Sequence, residues 1–161
     1  MKGEMDQTPQ QRAKLLFSGS VGFYITAHSL YQMTDEIHFP AFVVNLAYAA
    51  ELSVKAFVLE NSPNADEKVL RQIGHDLNEG LESAIRGGYA PPNETTKDLF
   101  NILNDHHIHH YARYLSGPPI SMKPFSLMLT AMAHHLTTIG KQMSMPVRLP
   151  TPPRTGASRS R

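Results

Sequence analysis

Apolar residues recur along this chain at helical spacing from near its start to about residue 143. Leu15, Leu16, Phe23, Ala27, Leu30 and Tyr31 form one face of a first helix, expected from Thr8-Pro9 to about Met33. Thr8 is a natural N-cap, and Pro9 follows where its missing N–H costs nothing. A second helix over residues 40–60 is apolar almost all round, which marks it as the central, buried element. A third helical segment over residues 66–86 breaks at Gly74. Asp76 caps its second half, with Glu79 three positions later in a box-like pattern. Gly87-Gly88 closes that segment. A fourth helix is expected from the Asn93 cap to Leu115, stopped by Gly117-Pro118-Pro119, and a fifth over residues 123–143. No sustained alternation of the strand type and no internal repeat is found.

The expected fold is all-α: one antiparallel up-and-down bundle of about five helices over residues 1–143. Apolar faces left over by such a bundle favour a homodimer. Residues 144–161 hold Pro146, Pro150, Pro152, Pro153 and four arginines, and are expected to form a disordered tail.

Composition narrows the chemistry. The 161 residues suffice for one domain with a real core. There is no cysteine, which excludes disulfides, thiolate metal sites and a cysteine nucleophile, and points to a reducing, cytoplasmic setting. The longest apolar stretch contains Asn45, Glu51 and Lys55, so no membrane span is expected. Without the tail's four arginines, the net charge of +1 becomes −3. The helical body thus lacks the basic surplus of a dedicated nucleic-acid binder, leaving room only for a local basic site.

Three groups of residues could carry function. Glu51 and Lys55 are one helical turn apart, in the order that favours an ion pair, and Asn45 and Tyr48 share their arc. That stripe reads either as a ligand site or as a buried network fixing helix register. Gly74-His75-Asp76-Leu77 reads either as a ligand contact or acid/base at His75, or as a break, an anchor and a cap. Most unusual is the run Asn104-Asp105-His106-His107-Ile108-His109-His110-Tyr111-Ala112-Arg113-Tyr114. His106 and His110 have the spacing of two ligands to one metal ion, but no second half of a zinc motif accompanies them, so no metal site or other cofactor is assigned. Imidazoles beside Arg113 would also suit phosphate binding or acid/base chemistry, and an exposed face or a subunit contact accounts for them equally well. No phosphate-binding glycine loop, nucleophile elbow or HExxH motif is present.

The order Ala49-Ala50-Glu51-Leu52-Ser53-Val54-Lys55-Ala56, then Gly74-His75-Asp76-Leu77, then Ala112-Arg113-Tyr114-Leu115 resembles the HEPN-domain family over about residues 10–140. The resemblance implies a compact helical bundle that dimerises. Many members are metal-independent endoribonucleases of toxin–antitoxin or defence systems, with an Arg, four to six intervening residues and then a His on a late helix. Some pair with a nucleotidyltransferase, and others bind nucleotide or RNA without cutting. Here His109-His110-Tyr111 matches the histidine end, which makes His109 the candidate general acid/base. Five positions earlier, where the Arg belongs, stands Asn104. Losing that contact to a developing phosphorane costs on the order of 3 kcal/mol in the barrier.

The leading expectation is therefore a regulatory or binding module of degenerate HEPN type, with Glu51, Lys55, His75, Arg113 and Tyr114 at a nucleotide or RNA site. The alternatives are an endoribonuclease using His109 and a purely structural dimerisation domain.

Overall fold

The computed structural model describes residues 7–33, 39–62, 66–109 and 124–151. Six helices, and no strand, are found among these described residues: α1 (Pro9–Gln32), α2 (Phe39–Asn61), α3 (Glu67–Ile73), α4 (Leu77–Arg86), α5 (Glu94–Ile108) and α6 (Phe125–Gln142). The all-α class expected from periodicity is what the chain adopts.

Local chemistry sets most boundaries. Thr8 and Gln11 form a reciprocal capping box: each side chain accepts the other's backbone N–H, at 3.2 and 2.9 Å. Asp66, Asp76 and Asn93 cap α3, α4 and α5. The break within residues 66–86 falls at Gly74, whose backbone (φ 57°, ψ −127°) is one that L side chains avoid. The box-like pattern at Asp76 is half made. Asp76 accepts the Asn78 and Glu79 amides, but the Glu79 carboxylate turns to Arg86 and Ser83.

Helix α2 is the hub. Its apolar length is enough to cross a membrane by composition alone, yet 72% of that window is buried inside the fold, as a core helix requires. Paired residues give the relative directions. Phe23 stacks on Tyr48 and Gly19 faces Leu52, so α1 runs antiparallel to α2. Phe42 meets Phe125 and Ser53 meets His135, so α6 runs parallel to α2. Short α3 carries the chain back from the end of α2 to the level of Glu51, where α4 begins. Gly80 lets α4 approach closely, since a Cβ there would lie 2.9 Å from Val54 Cγ2.

The boundary of the disordered tail needs correction. Residues 144–151 pack on the bundle after α6 ends. Met145, Val147 and Leu149 lean on the core, Met145 N–H bonds to Gly140 O at 2.7 Å, and His28 meets Thr151 O at 3.1 Å. The physical reason is an alternation of Met145, Val147 and Leu149 with Pro146, Arg148 and Pro150, which gives an extended strap one apolar edge. Residues 152–161 lie outside the described residues.

Candidate functional site

Glu51 projects from the middle of α2 and is 6% exposed. Its neighbours Ala49, Ala50 and Val54 on α2 are buried in the core, and the carboxylate is turned away from bulk water. Three side chains meet it instead. Lys55, one turn along α2, donates to Oε1 at 2.7 Å. His75 Nδ1, from the turn between α3 and α4, lies 3.1 Å from Oε2. His107 Nε2, from α5, makes a very close hydrogen bond to the same oxygen.

Burial alone would raise the Glu51 carboxyl. The hydrogen bonds from His107, Lys55 and His75, with the charge of Lys55, outweigh that and bring it down to about 2. Glu51 is thus an ionised carboxylate inside the bundle. Exposure is graded across the cluster: His107 is 3% exposed, Lys55 13% and His75 54%. The site therefore opens on the His75 side. Tyr48 packs edge-on against His107, with ring centroids 5.2 Å apart, and His75 does likewise at 5.7 Å.

Of the residues expected at a site, Glu51, Lys55 and His75 come together. Asn45 does not join them, because its amide bonds to Ala41 O on its own helix. His109 is the exposed C-cap of α5, outside the cluster around Glu51. His107 holds the position in its place. Arg113 and Tyr114, with His110, lie outside the described residues. Helical register could have singled out His107: Phe100, Leu103, Asn104 and His107 follow one buried stripe, and His109 falls about 200° away from His107.

Asn104, at the place the nuclease pattern gives to arginine, has a structural role. Its Oδ1 accepts the Leu77 amide at 2.7 Å and so caps the first turn of α4 from a neighbouring helix.

A second polar centre escaped sequence reasoning. His135 on α6 is fully buried, with Nε2 2.8 Å from Ser53 Oγ and Nδ1 2.6 Å from Tyr89 Oη. Burial lowers its pKa to about 3, so the ring is neutral. Ser53 donates to Ala50 O. One arrangement then gives every donor an acceptor: Tyr89 donates to Nδ1, Nε2–H donates to Ser53, and Ser53 donates to Ala50. A serine beside a histidine suggests a nucleophile and its base, but Ser53 and His135 are both sealed from solvent and substrate has no access. This centre is core structure. Only contact between α2, α6 and the loop after α4 reveals it, and no local pattern in the sequence signals it.

Comparison with known proteins adds no assignment to this geometry: no family model, curated protein or solved structure matches the chain.

Proposed function

We propose that this chain is a binding and regulatory module of the HEPN type, not a nuclease, and that its ligand is a phosphate-bearing nucleotide or RNA seated at the mouth formed by Lys55 and His75. The observation that carries this reading is the ionised, buried Glu51 met by Lys55, His75 and His107 from separate elements. An apolar cluster of similar volume would stabilise a bundle at least as well, so a buried charge network with one open side is a site candidate in its own right.

Asn104 weighs against cleavage. It is neutral and committed to the Leu77 amide, so it offers a scissile phosphate neither the charge nor the donor fork of an arginine. No arginine stands where the nuclease pattern would set one against His109. A homodimer, and a partner protein such as a nucleotidyltransferase, belong to the proposal on the strength of the sequence resemblance.

The test is direct. Labelled nucleotides and a mixed RNA pool are offered to the wild type and to Lys55→Met and His75→Ala, and the same pool is incubated in EDTA beside His109→Ala. Binding that weakens in the first two variants, without cleavage, supports the module. RNA cleavage in EDTA that disappears in His109→Ala would establish the endoribonuclease instead.

A further inference from the structure

Three donor atoms of the Glu51 cluster converge on a space that one ion could share. Glu51, His75 and His107 each offer one donor atom within 4.8 Å of the others, and both His75 Nδ1 and His107 Nε2 meet Glu51 Oε2. They come from α2, from the turn after α3 and from α5, so closeness in sequence does not account for their meeting. We infer that Glu51, His75 and His107 form a binding site for a divalent transition-metal ion such as Zn²⁺, and that this ion is what holds the ligand's phosphate. The ion's role toward phosphate rests on the proposed nucleotide or RNA ligand, whereas its binding does not.

The donor set suits the ion. Two imidazoles and one carboxylate favour zinc and its neighbours over Mg²⁺ or Ca²⁺, which prefer oxygen throughout. Ligand atoms about 2.1 Å from a tetrahedral ion sit roughly 3.4 Å apart. The 3.1 Å between His75 Nδ1 and Glu51 Oε2 is of that order, and the closer His107 contact has to ease outward. Lys55 engages Oε1, the other carboxylate oxygen, and so leaves Oε2 turned toward both rings. Tyr48 fixes the plane of the His107 ring. Supporting contacts of this kind orient metal ligands in protein sites.

Access and charge point the same way. His75 is 54% exposed, which gives an ion an entry path and leaves a coordination position facing solvent. Glu51 and Lys55 cancel each other, so the cluster alone has no surplus positive charge for a phosphate. A divalent ion supplies that surplus and an open position for a phosphate oxygen.

The experiment uses full-length untagged protein, purified without metal resin and stripped with EDTA, then titrated with Zn²⁺ by calorimetry and with Co²⁺ by visible absorption. One ion per chain is expected, with the ligand-field bands of a low-coordinate Co²⁺ site. His75→Ala, half-exposed and so tolerated by the fold, is expected to weaken binding by about 100-fold or more, and Lys55→Met by roughly 10-fold. Circular dichroism confirms that both remain helical. No saturable one-to-one binding would overturn the metal site. So would binding that survives His75→Ala, or that is lost in His109→Ala, which would assign the ion to the exposed end of α5 at His109. Nucleotide binding of equal strength in EDTA and in Zn²⁺ would overturn the ion's role while sparing the ligand reading. One-to-one metal binding with no affinity for nucleotide or RNA would do the reverse.

Discussion

Asn104 Oδ1 accepts the backbone N–H of Leu77 at 2.7 Å, so a side chain on α5 completes the first turn of α4. The amides of Asn78 and Glu79 go to Asp76, and the Gly80 amide goes to the Asp76 carbonyl, leaving none of the four leading donors of α4 unmet. Asn104→Ala strands the buried Leu77 amide and is expected to destabilise the protein by about 1–3 kcal/mol, read from urea unfolding. Asn104→Asp keeps an acceptor in place and is expected to cost less. Asn104→Arg, the change that would restore the nuclease pattern, is expected to lower the melting temperature without producing RNA cleavage. A stable, cleaving Asn104→Arg variant would reverse that view of the position.

Glu51 gives the fold an acid limit. Its carboxyl sits near 4.5 in the unfolded chain and about 2 in the folded one, so the unfolded state binds more protons between those values. Its contribution is complete above pH 4.5 and is lost as pH falls through about 2. Roughly 3 kcal/mol is involved. Glu51→Gln is expected to flatten the stability profile between pH 4.5 and 2, measured by chemical denaturation at each pH. An unchanged slope in that window would remove Glu51 from the account.

His135 acts at milder acidity. The unfolded imidazole takes up a proton near 6.5, while the buried one resists until about 3. Stability is therefore fully present above pH 6.5 and declines as pH falls from 6.5 toward 3. His135→Leu is expected to abolish that decline. It also leaves the hydroxyl of Tyr89 without an acceptor, at a cost of about 1–3 kcal/mol at neutral pH. Adding Tyr89→Phe to His135→Leu is expected to recover part of that loss, and a double-mutant cycle checks it.

Gly140 marks where α6, α1 and the strap over residues 144–151 close on each other. A Cβ at Gly140 would lie 2.7 Å from Met145 O and 2.8 Å from Phe17 Cζ. Gly140→Ala is expected to cost about 1–3 kcal/mol through overpacking. Gly22→Ala, on the open side of α1 with nothing near its Cβ, is expected to stabilise slightly, by about 1 kcal/mol. Thermal melts of the pair compare a crowded and an open glycine directly.

What is legible in the sequence is largely local. Thr8-Pro9, Asp76 and Asn93 start their helices as capping chemistry requires, and Gly74 breaks the third segment where its φ demands glycine. Glu51 and Lys55 meet because a turn of helix brings them together, and His75 joins them through the Gly74 turn. Between His107 on α5 and His109 at its C-cap, the motif favours His109, whereas the buried stripe through Phe100 and Leu103 favours His107. Ser53, Tyr89 and His135 are 36 and 46 positions apart along the chain. Tertiary packing alone brings them together. The strap is hidden by its prolines and arginine, which mask the alternation of Met145, Val147 and Leu149.

That strap also bears on the order in which the chain can fold. His28 meets Thr151 O across 123 positions, and Phe17 lies against Gly140 and the residues beyond it. Contacts of such separation form late, because the closure entropy of a long loop comes before any reward. During synthesis α1 and α2 can pair as soon as both have emerged from the ribosome. The side of α1 bearing Phe17 stays uncovered until α6 and the strap that follows it have emerged. Until then the protein presents an unfinished, adhesive flank, and the strap over residues 144–151 is what seals it.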